Sequence, residues 1–383
     1  VALVWQTARL WDLPPFARID FAIYYEAVDW KQGSLYDFRH VVEGLPFNYP
    51  PFAAVVLRPL NAMSLDVAEH VWFVASSAAV VAFAVLVLRL LPRPPATHLH
   101  QAAAATLLLL MMPVALTLRM GQINAFVGLL VLLDVVLLQR GSRWAGVGTG
   151  LAAGLKVTPA LMAVAFAGGG RVRAAVTAVA AGAFTVAVGA LVHPGATWRY
   201  ATDALWDNER VGPLDIPFMG RLPDGTAADV SNSLRRPVSW LPVDPSLHTL
   251  VWIVLAVGVA AVAIRRARRC FDTGNALGAI TVVSCAGYLI TPITWGHHLL
   301  FLGVALVLLA GDGTSAWRLV AAIVGALVVI DPFEGGEGNY VSLARIVLCV
   351  LVVLALPLDR PSRPTGPAGS VIVAPSRPRS PSG

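Results

Sequence analysis

Apolar runs of membrane-spanning length, separated by short basic stubs, recur along this chain and leave few folds open to it. They fall at 69–91, 101–118, 123–139, 174–193, 247–264, 275–293, 298–311, 315–331 and 341–357. A helix crossing a bilayer needs about 20 mostly apolar residues. With 57% hydrophobic and only 13% charged residues, the chain is not a soluble globular protein, where about a quarter of residues are charged. The expected fold class is therefore an all-α polytopic membrane protein: a transmembrane helical bundle with external loops carrying short surface helices.

The formal net charge of +6 does not point to nucleic acid, because the basic residues lie in small clusters between apolar runs, where membrane topology is written. The segment 144–170, "WAGVGTGLAAGLKVTPALMAVAFAGGG", decides how they add up. If it dips in and returns to the same side, Arg93, Arg140, Arg143, Arg171, Arg173 and the "RRARR" run at 265–269 share one face. That face is then cytoplasmic by the positive-inside rule. If the segment crosses once, "RRARR" moves to the opposite face from Arg143. The re-entrant reading keeps the basic residues together, and it turns the break near Lys156 inward, since irregular backbone at membrane depth must be enclosed by protein or a wet cavity.

Carboxylates then gather on the outer side, at 12–69, 203–244 and 331–337, with Asp134 alone inside a span. One transmembrane domain is expected over 1–358, with external loops at about 12–66 and 194–246. The Pro- and Ser-rich stretch 359–383 reads as a disordered cytoplasmic tail. The opening "VALVWQTARLWDLPP", apolar and without a starting Met, reads as the outer end of an earlier, truncated spanning helix. Cys270, Cys285 and Cys349 show neither pairing nor metal-ligand spacing and read as core thiols. No Walker A, GxSxG, HExxH or Cys/His metal pattern occurs, so neither a metal nor a cofactor is expected.

Several groups of residues carry chemistry, each with a structural alternative. In "RIDFAIYYEAVDW" (18–30), Asp20 precedes Phe21, Ile23, Tyr24 and Tyr25, a pattern that fits an amphipathic helix on the outer surface. Partial burial among aromatics would raise a carboxylate toward the working range of a base; the alternative is an N-cap aspartate. "GLPFNYPPFAAVVLRPL" (44–60) offers Asn48 and Tyr49 before a Pro50–Pro51 turn. "LRMGQINAF" (118–126) sets Arg119, Gln122 and Asn124 at the outer ends of two spans, either as snorkelling residues or as a phosphate and sugar site. Lys156 at membrane depth requires an anionic partner or a cavity: a lipid phosphate, or a broken-helix carbonyl. "TPITWGHHLLF" (291–301) places Trp295, His297 and His298 at an outer boundary, with one histidine toward a phosphate or sugar and the other packed. The loop 194–246 mixes aromatic, amide and charged residues, Asn208, Asn232 and Arg235 among them, as a carbohydrate-facing loop would.

Taken in order, "RIDFAIYYEAVDWKQGSLYD", "FNYPPFAAVV", "MGQINAF", "GLAAGLKVTPALM", "WDNERVG…SNSL" and "TPITWGHHLL" resemble the actinobacterial polyprenol-phosphate-sugar-dependent glycosyltransferases of the GT-C superfamily. More narrowly, they are similar to the α-1,2-mannosyltransferases of phosphatidylinositol mannoside and lipomannan synthesis. The resemblance implies a plasma-membrane enzyme with an extracytoplasmic site, a polyprenyl-phosphate mannose donor and a mannosylated glycolipid acceptor. It makes Asp20 the general base of an inverting transfer, which needs no second carboxylate as nucleophile. Lys156, Arg119, His297 and His298 are the donor-phosphate candidates. Tyr24, Asn48, Tyr49, Gln122, Asn124, Asn208, Asn232, Arg235 and Trp295 are those for sugar or acceptor. An arabinofuranosyltransferase and a lipid-linked sugar flippase remain the alternatives.

Overall fold

The computed structural model describes residues 18–29, 34–40, 44–207, 231–330 and 339–361. Asn208 and most of the tail lie outside them, as do residues 1–17. The outer segments form α1 (Ile19–Val28) and α2 (Pro51–Leu57), followed by α3 (Leu65–Leu90). Next come α4 (His98–Leu110), α5 (Met112–Met120), α6 (Asn124–Gln139), α7 (Val147–Leu155) and α8 (Leu161–Gly168). α9 (Val172–Val192), α10 (Pro194–Arg199) and α11 (Arg235–Ser239) precede α12 (Pro245–Asp272) and α13 (Ala276–Ile290). The described chain closes with α14 (Leu300–Ala310), α15 (Ala316–Ile330) and α16 (Asn339–Ala355). Among the described residues there is no strand, only an isolated bridge between Arg39 and Pro46.

This is an all-α polytopic membrane protein. Leu65–Leu90, Val172–Val192 and Ser246–Asp272 are each long and apolar enough to cross a bilayer. The expected span at 101–118 is instead a bent pair, α4 and α5, meeting at 42°. Pro113 explains the break, because it lacks an N–H and is tolerated only in the first turn of the new helix. The other apolar helices have 10–17 residues. α13 and α14 are joined by a largely non-α-helical stretch at 291–299 that is buried at Thr294, Gly296, His297 and Leu299 and half-buried elsewhere, so protein encloses it in part, as such backbone requires at depth.

The segment 144–170 forms a helical hairpin, α7 and α8, that starts and ends at one pole. Its register against α9 shows this. A Cβ on Gly146 would lie 2.0 Å from the Ala174 carbonyl oxygen, one on Gly150 2.4 Å from that of Ala178, and one on Gly154 2.4 Å from Thr185. α7 and α9 therefore run in the same direction, and α8 carries the chain back between them. The glycines allow backbone contact that no larger residue would permit. Asp134 anchors the hairpin from α6, accepting hydrogen bonds from the backbone N–H groups of Gly146 (2.7 Å), Gly148 (3.1 Å) and Thr149 (2.7 Å). Those are the orphan donors of a helix start.

The basic stubs collect at that same pole. Arg171 and Arg173 line one cavity with Gln139, Ser142, Phe271 and Pro361. Arg171 donates to the Phe271 carbonyl at 2.6 Å. Asp359 lies 3.7 Å from Arg93 and 2.7 Å from Arg318. α6 and α13 span, in opposite directions, between this pole and the other one, where α1, the Lys156 break and the 291–298 turn converge.

Candidate active site

The site is built on α1, which departs from expectation. It is not an amphipathic surface helix: Ile19, Asp20, Phe21, Ala22, Ile23, Tyr24 and Ala27 are all buried, enclosing it on several sides. Asp20 is not an N-cap either, since Arg18 holds that position and Asp20 lies within the first turn. There a carboxylate benefits from the positive end of the helix dipole. Arg18 ties α1 to α3 through a buried ion pair with Glu69 (2.7 Å) and stacks over Phe73, 4.5 Å from the ring centre. No local pattern in the sequence announces that pair, whose members stand 51 residues apart.

Gly121 lets α1 approach the end of α5. Its φ of +71° is left-handed, and a Cβ there would lie 2.6 Å from that of Phe21. The Trp72 indole N–H donates to its carbonyl at 2.7 Å. The next residue, Gln122, is 1% exposed. Its Oε1 lies 3.2 Å from both the Tyr24 and the Tyr49 hydroxyls, which are 2.8 Å from each other. Burial pushes the Asp20 carboxyl from 3.8 up to about 6, while the neighbouring Gln122 amide and the Lys156 charge pull the other way. Burial, reinforced by the Asp20 charge, likewise raises the Tyr49 hydroxyl above its ordinary value.

Lys156 is the extended residue after α7. Its Nζ donates to Asn124 Oδ1 at 2.9 Å and lies 5.6 Å from the centre of the Tyr49 ring. Asn124 passes the link on, its Nδ2 donating to the His297 carbonyl at 2.9 Å. His298 Nδ1 is 3.3 Å from the Trp295 backbone N–H and accepts from it. A neutral His298 then carries its proton on Nε2, which remains a donor. The Trp295 ring stacks on His298 at 6.2 Å. His297 is 1% exposed, and its Nε2 has no hydrogen-bond partner among the described residues.

Lys156, Asn124 and His298 form the polar mouth of a cleft between α6, α8, α13 and α14. Below them its walls are apolar, with Val127, Val131, Met162, Val283, Leu300 and Phe301. Ser284, Tyr288, Thr291 and Thr294 add small polar groups from α13 and the turn after it. These were missed in the sequence, where hydroxyl residues inside an apolar run carry no directional signal.

The remaining candidates are placed as follows. Arg119 is exposed on α5 and is not among the residues lining the cleft. Arg235 is also exposed. Asn232 is fully buried and latches its segment to the 291–298 turn, donating to the Thr294 carbonyl from its backbone (2.6 Å) and its side chain (3.1 Å). Asn48 is exposed beside Tyr49. Among the described residues no three His, Cys, Asp or Glu side chains group closely enough to hold a metal.

A buried carboxylate whose charge is felt by Lys156, and a cleft with Lys156 at its polar mouth and apolar walls below, suit an amphiphilic substrate. Residues 47–292 match glycosyltransferase family 87, and the chain belongs to that family; it is a glycosyltransferase. The matched segment contains Lys156, Gln122 and Asn124 but begins after Asp20.

Among its relatives is a polyprenol-phosphate-mannose-dependent α-(1-2)-phosphatidylinositol pentamannoside mannosyltransferase of Mycolicibacterium smegmatis. It is 30% identical over 309 residues, covering 78% of this chain and 71% of the relative. A Mycobacterium tuberculosis protein described in the same words is 31% identical over 76% of this chain and 65% of its own length. A phosphatidylinositol mannoside mannosyltransferase of Mycobacterium tuberculosis is 28% identical over 83% of this chain and 75% of its own. No solved structure matches the chain significantly.

Proposed function

We propose that this protein transfers mannose from polyprenyl-phosphate mannose to a hydroxyl of a mannosylated phosphatidylinositol glycolipid. The linkage is α-1,2, the configuration inverts, and the reaction takes place on the extracytoplasmic side of the plasma membrane. The observation that carries this reading is Lys156 at the polar mouth of the amphiphilic cleft, with the buried Asp20 near enough for the two charges to stabilise each other. The relatives' donor and acceptor agree with it.

Asp20 accepts the proton of the attacking acceptor hydroxyl. That oxygen forms a bond to the anomeric carbon as the bond to the donor phosphate breaks from the opposite face. The leaving polyprenyl phosphate gains a negative charge, which Lys156 and the His298 Nε2–H are placed to stabilise. Its apolar chain lies along Val127, Val131 and Phe301, so binding a lipid tail exposes little new apolar surface to water.

The test supplies purified protein with labelled polyprenyl-phosphate mannose and phosphatidylinositol mannosides of graded length, with polyprenyl-phosphate arabinose in parallel. Labelled product released by an α-1,2-specific mannosidase is expected. Transfer from the arabinose donor alone, or movement of the donor across a bilayer without transfer, rejects the proposal.

A further inference from the structure

We propose that Gln122 is a positioning residue for the proton-accepting step: its carboxamide, held by the Tyr24 and Tyr49 hydroxyls, orients the Asp20 carboxylate rather than contacting a sugar. This rests on the reading of Asp20 as general base. Gln122 itself stands among the sugar-contacting candidates of the sequence, and the structure removes the grounds for that role.

The first ground is chemical. An amide offers one acceptor oxygen and one NH2, whereas an ionised carboxylate only accepts. Both tyrosine hydroxyls lie 3.2 Å from Gln122 Oε1 and 2.8 Å from each other, a closed triangle in which the oxygen serves as acceptor. The NH2 is the group left for Asp20, which can take a hydrogen bond in no other sense. The amide orientation is thus fixed by its partners on both sides.

The second ground is mechanical. Gln122 follows the left-handed Gly121, and the N–H groups of both residues donate to the Thr117 carbonyl. Both bonds close the left-handed end of α5 on one carbonyl, so the backbone of Gln122 is held in place. Asp20 sits on α1, which touches the same turn through Phe21 and Gly121. Base and orienter are therefore mounted on two helix ends in direct contact, and Gln122 is 1% exposed, which leaves no open face for a sugar hydroxyl. The ionisable groups around Asp20 are Tyr24 on its own helix, Tyr49 from the loop before α2 and Lys156 from the α7–α8 break. The Arg18–Glu69 pair lies two residues away along the chain.

Steady-state kinetics of Gln122→Leu across pH 5 to 8 separate the two roles. Loss of a hydrogen bond to the charged form disfavours that form. The expected result is kcat lower by about 10- to 100-fold, KM for donor and acceptor within about twofold of wild type, and an acid limb of kcat displaced to higher pH by about one unit. A rise in acceptor KM with kcat and acid limb unchanged overturns the proposal in favour of a sugar contact. So does wild-type behaviour.

Should Gln122→Leu fail to fold, the double variant Tyr24→Phe/Tyr49→Phe keeps the rings and removes the hydroxyls that hold the amide. It should show the same displacement of the acid limb, and an unmoved limb with unchanged kcat overturns the proposal. Asp20→Asn runs alongside. If it retains turnover, the general-base reading itself fails; if it is inactive while the Gln122→Leu limb stays put, only the positioning role fails.

Discussion

Burial of the Asp20 carboxyl comes at the expense of stability. The carboxyl is pushed up to about 6 from 3.8, chiefly by burial. A group whose pKa is raised on folding contributes fully below its unfolded value, and that contribution is lost as pH rises through the folded value. Above pH 6 the ionised Asp20 is therefore a burden of about 3 kcal/mol, since each pKa unit corresponds to about 1.4 kcal/mol. Asp20→Asn should melt higher than wild type in detergent at pH 8, with the gap closing toward pH 4. Equal melting at pH 8 would contradict the burial. The same variant should lose about 10²- to 10⁴-fold in transfer rate, while Glu26→Gln and Asp29→Asn lose far less. Substantial turnover by Asp20→Asn beside an inactive Glu26→Gln would reassign the base. Lys156→Ala removes the charge proposed to meet the donor phosphate. The apparent KM for donor should rise about 10- to 100-fold, the value of a hydrogen bond between charged groups, with the acceptor KM unchanged. An unchanged donor KM would remove Lys156 from the site.

At the scale of elements, two contacts hold the site together from outside it. Gly121 carries a left-handed backbone and a 2.6 Å approach to Phe21. Gly121→Ala meets the left-handed penalty of about 1–2 kcal/mol together with a clash that moves α1. With the base on α1 and the donor in the cleft, as proposed, transfer should fall while donor affinity, read by a fluorescent polyprenyl-phosphate analogue, is kept. Joint loss of both would show that the two halves of the site are not mechanically separate. At the far pole, Asp134 serves three backbone N–H groups at the start of the hairpin. Asp134→Ala strands these buried donors, each at about 1–3 kcal/mol. It should sharply lower thermal stability, leaving the donor KM of the folded fraction as in wild type. A variant as stable as wild type would mean that water or another group replaces the carboxylate.

Across the whole molecule, the arginine-rich ends share one pole and the Asp20 site lies at the other. The positive-inside rule predicts that the first pole is cytoplasmic. Reporter fusions after Arg143, Arg173 and Arg269 should all read as cytoplasmic, and fusions within 200–240 as external. Opposite sides for Arg143 and Arg173 would break the hairpin into a crossing and invalidate the placement of Lys156. The all-helical membrane class was legible before any coordinates, because twenty-residue apolar runs admit few other folds in lipid. The bend at Pro113 could have been read too, since proline acts through its own backbone. Asp20 and Lys156 stood out for a related reason: ionisable groups near or inside apolar runs are costly wherever the chain places them. The sequence by itself thus determined what depends on composition, spacing and the chemistry of single residues. Tertiary structure alone decided that α1 is enclosed rather than amphipathic, that Arg18 meets Glu69, that Gln122 is held by Tyr24 and Tyr49, and that His298 rather than His297 lines the cleft. Each of these is a contact between segments whose separation along the chain or local orientation no periodicity encodes, settled only by which surfaces pack when the helices assemble.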